Sequence, residues 1–325
     1  MHARQARITA HGGPEVIEWI DVILPAPAAG EVLVEHTAVG LNMIDTYHRS
    51  GLYPLSLPSG LGVEAAGRVV AVGEGVTSLV VGNRVATFGP DLGAYATARL
   101  YRAEHLFALP DTISDQTAAA AILKAFTVEC LVERCARVEA GMTVLVHAAA
   151  GGVGLLMVQW LKAIGATVIG TVSTAAKADV ARAAGADHVI NYATDAVAPQ
   201  VRELTGGKGV RVVFDGVGKD TWEASVDSTG RRGLIVSFGN ASGPVTGVGL
   251  GLLAQKGSLF CTRPTLYDYY READERAAGS ARVWNMIGSG KVSVTIGQTR
   301  PLAQVAEAHA DLQARRTTGS TVLLP

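Results

Sequence analysis

The chain has 325 residues, with 28 Lys and Arg against 29 Asp and Glu, a formal net charge of −1 and a 48% apolar share. That length accommodates about two domains, and that balance excludes a largely disordered chain. Scattered, near-neutral charge supplies no basic stripe for nucleic acid or an anionic membrane, and no apolar run approaches the ~20 residues that cross a bilayer.

The opening MHARQARITAHGGPEV is polar and mixed, without the apolar heart of a signal peptide, so a cytoplasmic protein is expected. From about residue 4 to 110 the apolar runs are short, Val-rich and punctuated by Gly. Those at 30–42, 65–76 and 80–88 read as strands, which predicts a mostly β domain. Near residue 112 the rhythm changes. Residues 111–138 read as an alanine-rich helix with Ser114 as N-cap. Residues 142–174 then give a strand, a glycine turn, a helix stopped by Gly165 and a second strand. A helix over Ala176–Ala184 closed by Gly185, a strand at 188–192, a helix at 197–205 and a strand at 210–218 follow. A helix after Thr221 leads to a strand at 233–240. This alternation predicts a parallel sheet covered on both faces. Beyond about 265, helices near 268–289 and 301–315 flank a strand-like 293–301, and the closing STVLLP can return to the first domain.

The turn after the strand TVLVHAA carries the strongest chemical signal. A dinucleotide site needs a sharp turn whose backbone approaches a pyrophosphate, then a helix whose free N–H groups and dipole hold the charge. The positions of GxGxxG read Ala149, Gly151 and Gly154 here, with the first glycine replaced by the next smallest residue. A tight turn with no ligand would use the same residues, but a strand before it and a helix after it favour a nucleotide. The second strand ends in Ser173 and Thr174, with Lys177 three residues on and no acid before Asp179. An NAD site places a carboxylate there; hydroxyls and an ammonium group suit a 2′-phosphate, so NADPH is expected.

A catalytic zinc needs about three protein ligands. No cysteine precedes Cys130, the three cysteines Cys130, Cys135 and Cys261 form no CxxC pair, and GLGVEAAG at 60–67 offers Val63 rather than His. His2, His11, His36, His48 and His105 are scattered, so no metal site is expected.

With these motifs in place the chain resembles the zinc-independent quinone oxidoreductases of the medium-chain dehydrogenase/reductase superfamily, nearly end to end. The resemblance is carried by HGGPEV (11–16), GLNMIDTYHRSGLYP (40–54), LPSGLGVEAAG (57–67), HAAAGGVG (147–154), GTVSTAAK (170–177), GGKGVRVVFDGVGKDTW (206–222), RRGLIVSFGNASGPV (231–245), QKGSLFCTRPTL (255–266) and the terminal RRTTGSTVLLP. It implies an α/β fold in which a Rossmann doubly wound parallel sheet, residues 124–265, is inserted into a GroES-like mostly-β domain made of 1–123 and 266–325. It also implies residue roles. Asn42, Asp45 and Tyr47 should border the nicotinamide and substrate cleft. Gly151, Gly152 and Val153 should face the pyrophosphate, within the cofactor turn that Ala149 and Gly154 bound, with Ser173, Lys177 and Tyr192 around the ribose phosphate. Val217, Phe238, Gly239 and Asn240 should line the cofactor groove, closed by Thr262, Arg263, Pro264 and Arg315. Read alone, Tyr192 is a strand-end aromatic and Arg315 an exposed arginine beside Arg316. One departure stands out: relatives carry Tyr in the helix after LKxxTV, where this chain has Glu129 and Cys130, which puts the acceptor preference in question.

The implied chemistry is hydride transfer from NADPH to a quinone, with Asn42 and Tyr47 orienting the acceptor and Tyr47 either relaying a proton or simply packing. An enone, enal or enoyl-thioester reductase uses the same scaffold, and a low-turnover NADPH-binding structural or RNA-binding protein is a rival of another class. The expected partner is a small quinone or activated alkene, with neither nucleic acid nor membrane. A homodimer is expected through QKGSLFCTRP at a sheet edge.

Overall fold

In the computed structural model, which describes residues 1–325, the first part of the chain is organised by strand pairing. The elements are β1 (His2–Ile8), β2 (Glu18–Ile23), β3 (Glu31–Leu41), α1 (Met43–Ser50), β4 (Ser59–Gly60), β5 (Glu64–Val72), β6 (Arg84–Thr87), β7 (Ala98–Arg102), β8 (Phe107–Ala108) and α2 (Asp115–Glu129). β1 pairs with β2 and β4, while β3 pairs antiparallel with both β5 and β7. The run at 80–88 is a strand only over β6, because Val80–Asn83 form a turn closed by the Asn83 side chain, leaving Val80 and Val81 exposed. Gly40 is required where β3 passes under α2. A Cβ there would lie 2.1 Å from the Ala119 carbonyl and 2.3 Å from the Glu64 carboxylate.

The next stretch alternates strand and helix: β9 (Thr143–Val146), α3 (Gly152–Ile164), β10 (Thr167–Val172), α4 (Ala175–Ala183), β11 (His188–Asn191), α5 (Val197–Leu204), β12 (Val210–Asp215), α6 (Trp222–Ser228), β13 (Thr229–Ser237), α7 (Leu250–Gln255), β14 (Phe260–Thr262) and α8 (Ala273–Gly288). Its strands form a six-stranded parallel sheet in the order β11-β10-β9-β12-β13-β14, the doubly wound arrangement that reverses direction between β9 and β12. Leu145, Ile169, Ile190 and Val213 fill one side of it. The chain ends with β15 (Ile296–Pro301), α9 (Val305–Gln313) and β16 (Ser320–Leu324). β16 pairs antiparallel with β3, and Val305, Ala308 and Leu323 enter a core with Ile8, Val39 and Leu41.

The chain divides into two compact units, Met1–Lys124 with Val294–Pro325, and Ala125–Ser293. The second unit runs past residue 265, the boundary that the family resemblance implies. Residues 266–293 pack with it because Arg134 donates to the carbonyls of Tyr269 and Glu275, Tyr270 stacks edge-on against Phe126 with ring centroids 4.9 Å apart, and Arg282 pairs with Glu133 at 2.7 Å. These partners lie more than 130 residues apart in sequence, beyond the reach of any local pattern. No helix is long and apolar enough to cross a membrane.

Candidate active site and cofactor-binding edge

The turn from β9 into α3 is built for close approach of a ligand to backbone. Ala148 adopts a left-handed conformation, φ +53°, and Gly151 N–H donates back to its carbonyl at 2.9 Å. Leu155 N–H reaches the Gly151 carbonyl at 2.9 Å, so the N–H groups of Gly152, Val153 and Gly154 precede the first helical bond and have no partner of that kind. A Cβ on Gly154 would lie 2.3 Å from the Ala148 carbonyl and 2.8 Å from the Ala149 Cα. Ala149 tolerates its own methyl group because the neighbour on β10 is Gly170, where a Cβ would come within 2.8 Å of it. The departure from three glycines is thus compensated one strand away.

The other residues expected in this unit gather at the same edge, since each follows the carboxyl end of a strand or closes it. Ser173 and Lys177 follow β10. Thr174 caps α4 by accepting from Lys177 N–H at 3.3 Å, and the nearest acid, Asp179, is paired with Arg182 at 3.0 Å. Lys177 is half-buried as a residue, and its ammonium makes no ion pair. Tyr192 follows β11, 44% exposed. Val217 follows β12 in a turn ordered by Asp215, whose Oδ1 accepts from the N–H groups of Val217 and Gly218 at 2.9 and 3.0 Å. Phe238, Gly239 and Asn240 follow β13, where a Cβ on Gly239 would lie 2.2 Å from the Gly216 carbonyl. Thr262 ends β14, and Arg263, ahead of Pro264, donates to the Gly239 carbonyl at 2.9 Å. His147, passed over in the sequence, stiffens this edge. Its ring bridges Thr171 Oγ1 at 3.0 Å and Ser225 Oγ at 3.1 Å, and burial lowers its pKa.

In the first unit, Asn42, Asp45 and Tyr47 sit at the start of α1, all buried. Asp45 Oδ2 accepts from Asn42 N–H at 2.8 Å, capping the helix, and from the Tyr95 hydroxyl at 2.8 Å. Asp45 Oδ1 is buried without a partner. Burial pushes the Asp45 carboxyl up to about 7, against the pull of these hydrogen bonds. The Asn42 side chain donates to Glu64 Oε2 at 2.7 Å, and Glu64 also accepts from Lys124 Nζ at 3.1 Å and Leu123 N–H at 2.8 Å. Glu64 and Lys124 were missed in the sequence. Their signal was an acid alone in the apolar run of β5 and a lysine alone in the alanine-rich α2. Tyr47 packs its ring against Tyr53 with centroids 5.2 Å apart. Arg315, just past α9, is exposed with φ +58°.

Glu129 ends α2, and Cys130 starts the π-helical turn that extends it. Glu129 accepts from Arg134 Nε at 3.0 and 2.8 Å and from the Tyr270 hydroxyl, so its charge is fully engaged. Burial pushes the Cys130 thiol up to about 12, which leaves it protonated and unreactive.

Two family descriptions match the chain: an alcohol dehydrogenase GroES-like domain over residues 28–111 and a zinc-binding dehydrogenase over 152–276. Together with the doubly wound sheet and its glycine turn, they define a two-domain dehydrogenase/reductase of the medium-chain class. The residues present do not fit the zinc of the second description, because no three His, Cys, Asp or Glu side chains are placed to hold a metal ion. Quinone oxidoreductase of Pseudomonas aeruginosa is 52% identical over 99% of this chain and 100% of its own. The structure of Escherichia coli quinone oxidoreductase complexed with NADPH superposes with a TM-score of 0.97, at 48% identity, covering 99% of this chain and 100% of that one. A 2-haloacrylate reductase of a Burkholderia species is 44% identical over 98% of each chain. The chain belongs to the quinone oxidoreductase family.

Proposed function

We propose that this chain is an NADPH-dependent quinone reductase that works without a metal. The observation that carries the reading is the carboxyl edge of the parallel sheet, where free helix N–H groups and an acid-free strand end converge. Gly152, Val153 and Gly154 hold a pyrophosphate through their N–H groups, which precede the first helical bond of α3. Ser173, Lys177 and Tyr192 surround a ribose 2′-phosphate, with Lys177 free to pair with it. Val217, Phe238, Gly239, Asn240, Thr262, Arg263, Pro264 and Arg315 complete the cofactor contacts. When bound, NADPH supplies the hydride. Asn42, held at its main chain by Asp45 and at its amide by Glu64, offers the acceptor a fixed hydrogen-bonding edge. Tyr47 orients the acceptor oxygen from one turn further along α1. In this reading the unit built from both chain ends carries the acceptor residues and the parallel-sheet unit carries the cofactor.

Family membership supports quinones as acceptors, and the 2-haloacrylate reductase relative supports activated alkenes as the second reading. Three free thiols support a reducing, cytoplasmic setting. β14 ends the sheet with Phe260 61% exposed, which supports a homodimer formed by pairing that edge with its twin.

The test is oxidation of NADPH and of NADH by the purified protein with 1,4-benzoquinone, an enone and 2-chloroacrylate, with and without a chelator. Chelator-resistant, NADPH-selective turnover on the quinone is expected. Binding of NADPH with no quinone turnover would sink the reading, and faster turnover on 2-chloroacrylate would favour the alkene.

A further inference from the structure

The edge of the six-stranded sheet opposite the glycine turn is where the chain enters β12 and β13 and where α5, α6 and α7 run out. The loops there border an open, shallow groove of about 750 Å³. Its walls carry Arg202, Lys208, Arg211, Arg231 and Lys256 and no carboxylate. Three helix carboxyl ends converge on this edge, and their partial negative charge accounts for some of these cations. Arg202 donates to the carbonyls of Asp227, Gly207 and Thr229 at 2.8, 3.2 and 2.8 Å, and Lys256 pairs with the Asp227 carboxylate at 2.6 Å. Arg211 uses one guanidinium N–H on the Arg232 carbonyl. Lys208 and Arg231 are exposed and make no side-chain hydrogen bond or ion pair.

The helix ends therefore leave Lys208, Arg231 and most of the Arg211 guanidinium facing a concave space without a counter-charge. Gathering like charges raises the energy of the fold unless an anion is taken up. In the backbone beneath, Arg232 holds φ +59°, the left-handed region that favours glycine, with its N–H tied to the Gly257 carbonyl at 2.8 Å.

We propose that this groove is a second anion site, separate from the cofactor edge, that takes an oligophosphate chain. The space is far larger than one tetrahedral anion needs, and its cations come from separate loops. Lysine meets phosphate oxygens as a point charge and arginine as a planar fork, so several linked phosphates satisfy them together. A nucleic-acid strand needs a basic track that continues past the groove, and a chain with net charge −1 and scattered acids offers none. The inference does not depend on the reaction assigned to the other edge.

The test is a titration of tripolyphosphate into the protein saturated with NADPH, followed by amide NMR and calorimetry. Shifts are expected at residues 207–211, 230–232 and 255–257, and each of Lys208→Ala and Arg231→Ala should weaken binding about tenfold, the size of a charge-assisted hydrogen bond. Both side chains are exposed, and unchanged amide spectra elsewhere verify that the variants fold. ATP giving the same shifts and affinity identifies the phosphate chain as the ligand; tighter ATP binding with added shifts identifies a nucleotide. Shifts confined to residues 151–154, no response at millimolar tripolyphosphate, or unchanged affinity in both variants would overturn the proposal. So would a single-stranded oligonucleotide that binds more tightly with shifts spread beyond the groove.

Discussion

His309 Nε2 and the Tyr95 hydroxyl meet 2.9 Å apart, and this contact sets the direction of every proton in a buried chain that ends at Asp45. Arg49 can only donate, so His309 Nδ1, 3.0 Å from Arg49 Nη1, must accept. Burial holds His309 down to about 3, hence neutral, with its one proton on Nε2 facing Tyr95. The Tyr95 oxygen accepts a hydrogen bond from that N–H, and the Tyr95 O–H donates to Asp45 Oδ2. A proton arriving at Asp45 therefore settles on Oδ1, the one oxygen without a partner.

Stability should respond to pH through both ends of that chain. The Asp45 carboxyl lies at about 7 in the fold against an ordinary 3.8, so its contribution is fully present below 3.8 and is lost as pH rises through 7. His309 moves the other way, from 6.5 to about 3, so its contribution is present above 6.5 and lost as pH falls through 3. Urea midpoints measured across pH should lose their decline toward neutrality in Asp45→Asn and their decline toward acid in His309→Gln. Parallel curves for wild type and both variants would refute the directional chain.

Glu64 and Lys124 form an ion pair with side chains 0% and 7% exposed. Removing one charge strands the other, so Glu64→Gln should cost about 3 kcal/mol or more. The double variant Glu64→Gln/Lys124→Met should recover much of that loss, and a double-mutant cycle of denaturant unfolding measures it. Turnover should stay impaired in the double variant, because Asn42 then lacks its carboxylate.

Lys177→Glu tests the cofactor preference. The exchange replaces the free ammonium beside the acid-free end of β10 with a carboxylate. KM for NADPH should rise about a hundredfold, the worth of one charge-assisted contact plus a repulsion, while KM for NADH stays within a few-fold. Equal change in both would place the 2′-phosphate elsewhere.

Gly154→Ala places a methyl group 2.3 Å from a backbone oxygen, a contact that neither the strand nor the helix can yield to without shifting. Overpacking of this kind costs about 1–3 kcal/mol, read as a lower thermal midpoint. NADPH affinity should fall at least about tenfold as the turn opens. Gly151→Ala, whose Cβ would stand 3.2 Å from the Ala148 carbonyl, should be much milder in stability.

Where a local signal is strong, the sequence reading and the structure coincide. The βα alternation from Thr143 onward depends on runs of Val and Ile and on glycine stops such as Gly165, which takes φ +93° at the end of α3. The missing acid after β10 is likewise visible within a few residues. The helix at 268–289 is less so: its first part, Leu266–Tyr269, is a short 3-10 turn ahead of α8, and α7 was not anticipated because Gly249 and Gly251 hide a single helical turn.

The amino-acid sequence by itself determined the βα alternation of a parallel sheet, the glycine turn and the acid-free strand end, because each follows from spacing along one stretch of chain. Only the tertiary structure decided that Ala149 is admitted by Gly170, that Asn42 is held by Glu64, and that His309 orders Tyr95 and Asp45. Those partners lie 21, 22 and up to 264 residues apart. Their pairing is set by burial, where a polar group must find whatever donor or acceptor the folded chain brings within reach.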